Sequence, residues 1–124
     1  MRLKAYTLME MIVVIVIITT LSMIAWPTYN KARQKAENKE AFSLLFLLQA
    51  AQKNYKVEEG SFYTSADIPS INSNLDVHLS LNELRHWNCE VYSSGCVEVS
   101  RKNDDTRLWH LNITEYTPVA GACS

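Results

Sequence analysis

A chain of 124 residues with 12 basic and 13 acidic side chains has room for one small domain. This near-neutral balance excludes the strongly basic surface typical of nucleic-acid-binding proteins, so nucleic acid is not expected as a main partner. The hydrophobic content of 48 % is concentrated in the first 30 residues, which leaves residues 31–124 to build a small soluble head with a modest core.

The first predicted element is a long apolar helix near the N-terminus. Residues 11–26 contain no charge, glycine or proline. The whole apolar span, residues 6–27, would measure roughly 33 Å as a helix, long enough to cross a bilayer. Glu10 is the one charge inside it, and a carboxylate at that depth costs on the order of 3 kcal/mol. We therefore expect Glu10 to have a partner.

The residues before this helix are arranged unlike a secretory signal peptide. Two basic residues, Arg2 and Lys4, precede the apolar block, and the small residue Ala5 stands before the block instead of after it. A cut between Ala5 and Tyr6 would remove the basic leader and keep the helix. It would leave 10 basic against 13 acidic residues and create an α-amino group four residues ahead of Glu10.

Two segments carry a resemblance to the type IV pilins: Ala5-Tyr6-Thr7-Leu8-Met9-Glu10 and, after the apolar run, Ala25-Trp26-Pro27-Thr28-Tyr29. In that family a short basic class III leader is removed by a prepilin peptidase, and the new first residue is N-methylated. The fifth mature residue is Glu and the twenty-second is Pro, which correspond to Glu10 and Pro27 if Tyr6 is the first. The family usually has Gly where this chain has Ala5, and Phe where it has Tyr6.

The resemblance implies an organisation and a set of partners. Residues 1–5 would be the leader, 6–30 the transmembrane and assembly helix, and 31–124 the soluble pilin head. Ala5 and Tyr6 would flank the processing site, Tyr6 would be methylated, and Glu10 and Pro27 would act in assembly. The partners would be other pilin subunits, the prepilin peptidase and the inner-membrane assembly machinery. The chain would be a single-pass inner-membrane protein with its head outside the cytoplasm, and later part of an extracellular pilus.

Beyond the membrane segment, residues 31–59 predict a continuation of the helix. Good helix formers dominate, and apolar residues recur at intervals of three and four. Pro27 predicts a kink or a locally melted turn inside the helix rather than its end. The apolar stripe broadens over residues 42–48, which favours cover by the head on one side and by neighbouring subunits on the other. Gly60 is expected to end the helix.

The basic residues just after the apolar block have two interpretations. Lys31, Arg33, Lys35 and Lys39 face few acidic neighbours in the sequence. They would form either a solvated helix face with pairs at helical spacing or a surface complementary in charge to stacked subunits. The positive-inside rule does not decide the orientation, since the leader is basic too.

The remainder of the head is predicted as a loop followed by a sheet. Residues 60–85 are polar and broken, which indicates a loop with short turns at most. Residues 86–124 hold the sheet and the C-terminal segment. A three-residue hairpin loop at 93–95 would place Val91 opposite Val97 and Cys89 opposite Val99. After a turn at 103–105, a third strand over 107–114 would complete a three-stranded antiparallel meander packed on the helix, giving an α+β pilin fold.

The three cysteines are Cys89, Cys96 and Cys123. In the predicted register Cys89 faces inward and Cys96 outward, so these two are poorly placed to bond with each other. Many pilins tether the C-terminal segment by a disulfide, and the resemblance implies that Cys123 bonds to Cys96 or to Cys89, in an oxidising compartment. A zinc site built on His86, Cys89 and Cys96 lacks the usual paired spacing and a fourth ligand, so neither a metal nor another cofactor is expected.

The sequence contains none of the motifs that carry catalysis in the common enzyme classes. It has no G-x-S-x-G, no phosphate-binding glycine-rich loop and no H-E-x-x-H, and only three glycines in all. We therefore expect a structural protein and not an enzyme. The first hypothesis is a structural subunit of a type IV pilus filament, and the alternative is a pseudopilin of a type II secretion system. A generic membrane-anchored binding domain would fit only if the chain is never cut after Ala5.

Overall fold

The structure is a computed structural model that describes residues 6–80, 84 and 86–123. Its elements are α1 (Leu8–Glu59), α2 (Ile68–Leu75), β1 (Trp87–Val91), β2 (Val97–Arg101), β3 (Asp104–Leu111) and β4 (Val119–Ala120). The chain divides into two units, one that ends at Glu37 and one that begins at Asn38, which is later than the expected division at residue 30. The predicted α+β class is confirmed, with an antiparallel sheet packed on the C-terminal half of a long N-terminal helix.

Helix α1 passes Pro27 and ends at the predicted glycine. The helix is unbroken across Pro27, so the locally melted turn expected there is not formed. Pro27 lacks an N–H for the carbonyl one turn earlier. At the same turn the Thr28 hydroxyl donates a bond to the Ile24 carbonyl at 3.3 Å. At the other end Gly60 has a φ of +78° and its N–H donates to the Lys56 carbonyl at 3.0 Å, which is an αL cap.

The loop expected over residues 60–85 is interrupted by helix α2. Asp67 is its N-cap and accepts hydrogen bonds from the Ser70 N–H at 3.2 Å and the Ser70 hydroxyl at 2.7 Å. Pro69 lies in the first turn, where its missing N–H costs nothing. The buried side chains Ile68, Ile71 and Leu75 follow helical spacing. The many polar residues of this segment form the exposed face of a short amphipathic helix.

The sheet has the predicted register in its first hairpin. Val91 pairs with Val97 and Cys89 with Val99, and all four side chains are buried on the face toward α1. The hairpin turn uses Gly95 at a φ of +84°. A Cβ added at Gly95 would lie 2.8 Å from the ring of Phe62, so both the turn and its packing require glycine here.

The second half of the sheet differs from the prediction in two ways. Strand β3 begins at Asp104 rather than at residue 107 and ends at Leu111, so Ile113 lies outside it. The register shifts between Ser100 and Arg101, and this irregularity moves the turn toward Asn103, which has a φ of +70°. A fourth strand, β4, pairs with β3 and was not predicted, since two residues are too short to show an alternating pattern.

The head has one core, lined by α1, α2 and the inner face of the sheet. Its fully buried members include Leu45 and Leu48 of α1 and Trp87 of β1. Two buried glutamines of α1 fasten the connecting segments to the helix. Gln52 bonds both backbone groups of Tyr63, and Gln49 donates to the carbonyls of two residues that follow β3. These bonds satisfy polar groups that would be costly to bury alone.

Candidate functional site

The candidate functional site is the surface of α1 before Glu37. Eight consecutive apolar residues, 11–18, cover every side of the helix, and each is between 46 % and 61 % exposed. No residue of the most apolar 18-residue window, of mean hydropathy 2.5, is buried by the chain itself. The helix is therefore long enough and apolar enough to span a membrane. Within the chain, nothing that the structure describes covers it.

The few polar side chains inside this apolar stretch are satisfied within the helix. Residues 11–26 contain three hydroxyls, on Thr19, Thr20 and Ser22. Each donates to a backbone carbonyl three or four residues earlier, at 2.8–3.0 Å. Such back-bonding leaves no hydroxyl that needs water or a partner helix. The side chains of this surface are mostly apolar, and its hydroxyl donors are already used within the helix. The surface is therefore suited to contact with lipid or with other apolar helices.

Glu10, the one charge in the span, takes part in a capping box at the start of α1. Glu10 Oε2 accepts bonds from the Thr7 N–H at 2.8 Å and from the Thr7 hydroxyl at 3.0 Å, and Thr7 Oγ1 in turn accepts from the Glu10 N–H at 3.3 Å. This reciprocal arrangement satisfies backbone donors that the first turn leaves unpaired. Glu10 also lies in the first turn, where the helix dipole favours negative charge.

The expectation that Glu10 needs a partner is thus met in part by its own chain. The spacing that signals this cap, Thr7-x-x-Glu10, is present in the sequence. Glu10 Oε1 makes no hydrogen bond with any residue that the structure describes. One carboxylate oxygen therefore supports the helix start and the other remains available.

Of the two residues that flank the predicted processing site, the structure describes Tyr6 but not Ala5. Ala5 and the rest of residues 1–5 lie outside the described residues. Tyr6 is 78 % exposed and lies just before α1. Cleavage before Tyr6 and its methylation stay predictions, and so do the assembly roles of Glu10 and Pro27.

Of the two disulfides left open by the sequence, the structure has Cys96–Cys123, with a Cα–Cα distance of 6.1 Å. Cys96 is buried but lies outside the hydrophobic core cluster, and its bond to Cys123 removes it from any zinc site with His86. Cys89 is a free thiol in the core, where burial raises its pKa to about 12. It is therefore protonated and unreactive at neutral pH.

Hydrogen bonds tie the segment around Cys123 to the outer face of the sheet. The Cys123 N–H donates to the Glu98 carboxylate at 3.0 Å, and His110 Nδ1 donates to the Gly121 carbonyl at 2.8 Å. The Gly121 N–H donates to the Leu108 carbonyl at 2.9 Å. The disulfide is thus one of several links that hold the C-terminal segment on the head.

Comparisons of the chain with protein-family models, with curated proteins and with solved structures found no match. Within residues 6–80, 84 and 86–123, no group of three or more His, Cys, Asp or Glu side chains is placed to hold a metal ion. The apolar helix and the residues at its two ends are therefore the features of the chain that bear on its function.

Proposed function

We propose that this chain is a structural subunit of a type IV pilus filament, held in the inner membrane by residues 6–30 before assembly. The observation that carries the proposal is that α1 is apolar on all sides over residues 11–18 and uncovered by its own chain. A helix of this kind needs an apolar environment all round. Lipid supplies one before assembly, and neighbouring copies of the same helix supply one afterwards.

The internal hydrogen bonding of the helix supports a transfer between these two environments. Because Thr19, Thr20 and Ser22 already bond to the helix backbone, leaving lipid breaks no polar contact. Lipid tails are as apolar as the side chains, so helices associate in such surroundings through packing and a few polar contacts. A subunit with this surface can be stored in a membrane and later packed into a bundle.

Glu10 supplies the polar contact for that bundle. The α-amino group created at Tyr6 by the prepilin peptidase would lie at the end of the next helix and meet Glu10 Oε1, which the capping box leaves unused. A charge pair in low dielectric needs good geometry, so it fixes the axial position of one helix against another. Each added subunit would therefore take the same axial position relative to the one before it.

The proposal is tested by intact-mass measurement combined with filament shearing. The chain is expressed with a prepilin peptidase and assembly system, and mass is measured on the membrane form and on protein sheared from the cell surface. We expect a mature chain that begins at N-methylated Tyr6 in both fractions. A matched control, Ala5→Arg, places a bulky charge before the cut and should remain unprocessed and absent from the sheared fraction.

Two outcomes would contradict the proposal. A membrane form that retains residues 1–5 in the presence of the peptidase would remove the basis for assigning the chain to pilins. A processed chain that stays in the cell envelope and never enters the sheared fraction would instead favour a secretion pseudopilin.

A further inference from the structure

The C-terminal end of the apolar block carries a distinct set of side chains, which we call the collar: Trp26, Tyr29, Lys31 and Lys35. We propose that the collar binds the headgroups of anionic phospholipids. This inference rests on the membrane insertion proposed above and adds to it a lipid class and the residues that select it.

The collar lies where the uncharged block of the helix ends. Residues 11–30 carry no charge and would span about 30 Å as a helix, which is the thickness of a bilayer's hydrocarbon core. Lys31 is the first charged residue after this stretch. With the apolar block in the membrane, its ammonium group would lie at the level of the headgroups.

Two aromatic residues of the collar lie just inside that boundary. Trp26 is 73 % exposed and Tyr29 is 66 % exposed, so neither packs into the protein. Tryptophan and tyrosine concentrate at membrane interfaces, where the ring lies among acyl chains and the polar atom meets the headgroups. Their exposure fits contact with lipid at this level.

Two of the nearby cations lack an anionic partner among the residues that the structure describes. Lys31 and Lys35 are four residues apart on one helix face, both are exposed, and neither makes an ion pair or hydrogen bond with any residue described in the structure. Their neighbour Arg33 differs, because its Nε donates to Glu37 Oε1 at 2.9 Å. Like charges at this spacing destabilise a helix unless an anion lies between them.

A lipid phosphate is the anion that these observations favour. It supplies negative charge at the level of Lys31, which lies about 3 Å beyond Tyr29 and about 8 Å beyond Trp26 along the helix. Each lysine near an anionic bilayer surface strengthens binding by about fivefold. Two lysines therefore suffice to enrich anionic lipid around the helix. An acidic group on a second copy of the chain would also supply charge, and the self-association measurement below tests for it.

Fluorescence quenching by brominated lipids tests the inference in the full chain. The protein is reconstituted into bilayers that mix phosphatidylcholine and phosphatidylglycerol, with bromine on the acyl chains of one lipid at a time. Trp26 is the exposed tryptophan, whereas Trp87 is fully buried and Trp109 half-buried in the head, and a Trp26→Phe variant measures the signal of these two. The ratio of quenching by the two lipids gives their relative affinity for the collar.

We expect a preference of about fivefold or more for phosphatidylglycerol, which added salt weakens. The double variant Lys31→Gln, Lys35→Gln should bring the ratio close to one. The matched control Lys53→Gln, Lys56→Gln removes the same charge from the head portion of α1 and should leave the preference unchanged.

The possible failures are distinguishable. Absence of quenching by either brominated lipid would show that the helix is not in the bilayer, which contradicts the proposed function itself. Equal quenching by both lipids in the unmodified chain would leave insertion intact and overturn the inference. Equal quenching together with loss of self-association in the lysine variant would assign the lysines to a second copy of the chain.

Discussion

Glu10 combines two roles that replacement by alanine does not separate. Its Oε2 completes the capping box with Thr7, and its Oε1 is the proposed partner of a neighbouring amine. Glutamine keeps the capping geometry but removes the charge, because a capping box accepts either Glu or Gln at this position. The pair of variants Glu10→Gln and Glu10→Ala therefore separates helix capping from charge pairing.

We expect both Glu10 variants to enter the membrane and both to fail in filament assembly, because each lacks the carboxylate. Thr7→Val is the matched control, since it removes the hydroxyl from the cap and leaves the charge, and it should assemble. The measurement is the number and length of surface filaments by electron microscopy, after membrane content has been checked. Normal filaments from Glu10→Gln would show that capping alone is required.

Cys89 differs from the other two cysteines because it is buried and unpaired. Burial raises its pKa to about 12, so almost no thiolate forms in the folded protein at pH 8. We expect no reaction with iodoacetamide until the protein is unfolded, when one thiol per chain should react. The check is mass spectrometry of labelling in native and denaturing buffer, and equal labelling rates in both would contradict the structure.

The raised pKa of Cys89 also predicts the direction of a pH effect on stability. The unfolded thiol loses its proton near pH 9 while the folded one keeps it, so the free energy of unfolding contributed by this group falls as pH rises from about 9 toward 12. A Cys89→Ala variant should lack this part of the alkaline destabilisation.

At the scale of elements, the sequence predicted the α+β class and the first hairpin but not α2 or β4. Val91, Val97 and Val99 alternate with polar residues, and a glycine marks the turn. The two-residue alternation and the turn residue therefore predict the same hairpin. Over residues 68–75 the polar residues outnumber the apolar ones, and three buried side chains at helical spacing carry the signal. The caps at Thr7 and Asp67 could both be found from spacing, whereas the choice of Cys96 for the disulfide required the fold.

Helix α2 should depend on its N-cap. Asp67→Ala removes the acceptor for the Ser70 N–H and hydroxyl, and we expect a loss of about 1 kcal/mol in the free energy of unfolding. The matched control is Asp76→Asn, which removes the same charge at the other end of α2. Asp76 has a φ of +48°, a conformation that asparagine also adopts, so its replacement should change little.

The stabilities of these two variants are compared by urea unfolding of the full chain in detergent, with circular dichroism as the signal that monitors unfolding of the head. Equal stability of Asp67→Ala and the unmodified protein would mean that α2 is held by the burial of its apolar face alone.

At the scale of the whole molecule, the head is small and depends on a covalent link. The disulfide joins residues 27 apart in sequence, and closing a loop of this length stabilises the folded state by about 3–4 kcal/mol in the chain-entropy model. We expect Cys123→Ser to lower the free energy of unfolding by roughly that amount, measured in denaturant against the unmodified chain. Cys89→Ser is an unsuitable control because it buries a hydroxyl, so Cys89→Ala is used instead. A Cys123→Ser head as stable as the unmodified one would show that the bonds to Glu98 and His110 are sufficient.

The self-contained hydroxyls of α1 have a mechanical consequence for the proposed filament. Because the hydroxyls of Thr19, Thr20 and Ser22 donate to their own helix, two such helices packed side by side would not depend on hydrogen bonds donated by these groups, which sliding would break. When one helix slides along another, each apolar contact is replaced by a similar apolar contact, so sliding changes the contact energy little. Resistance to stretching would then be concentrated at Glu10 and in the heads, and a filament of these subunits would extend under load and shorten again when the load is released.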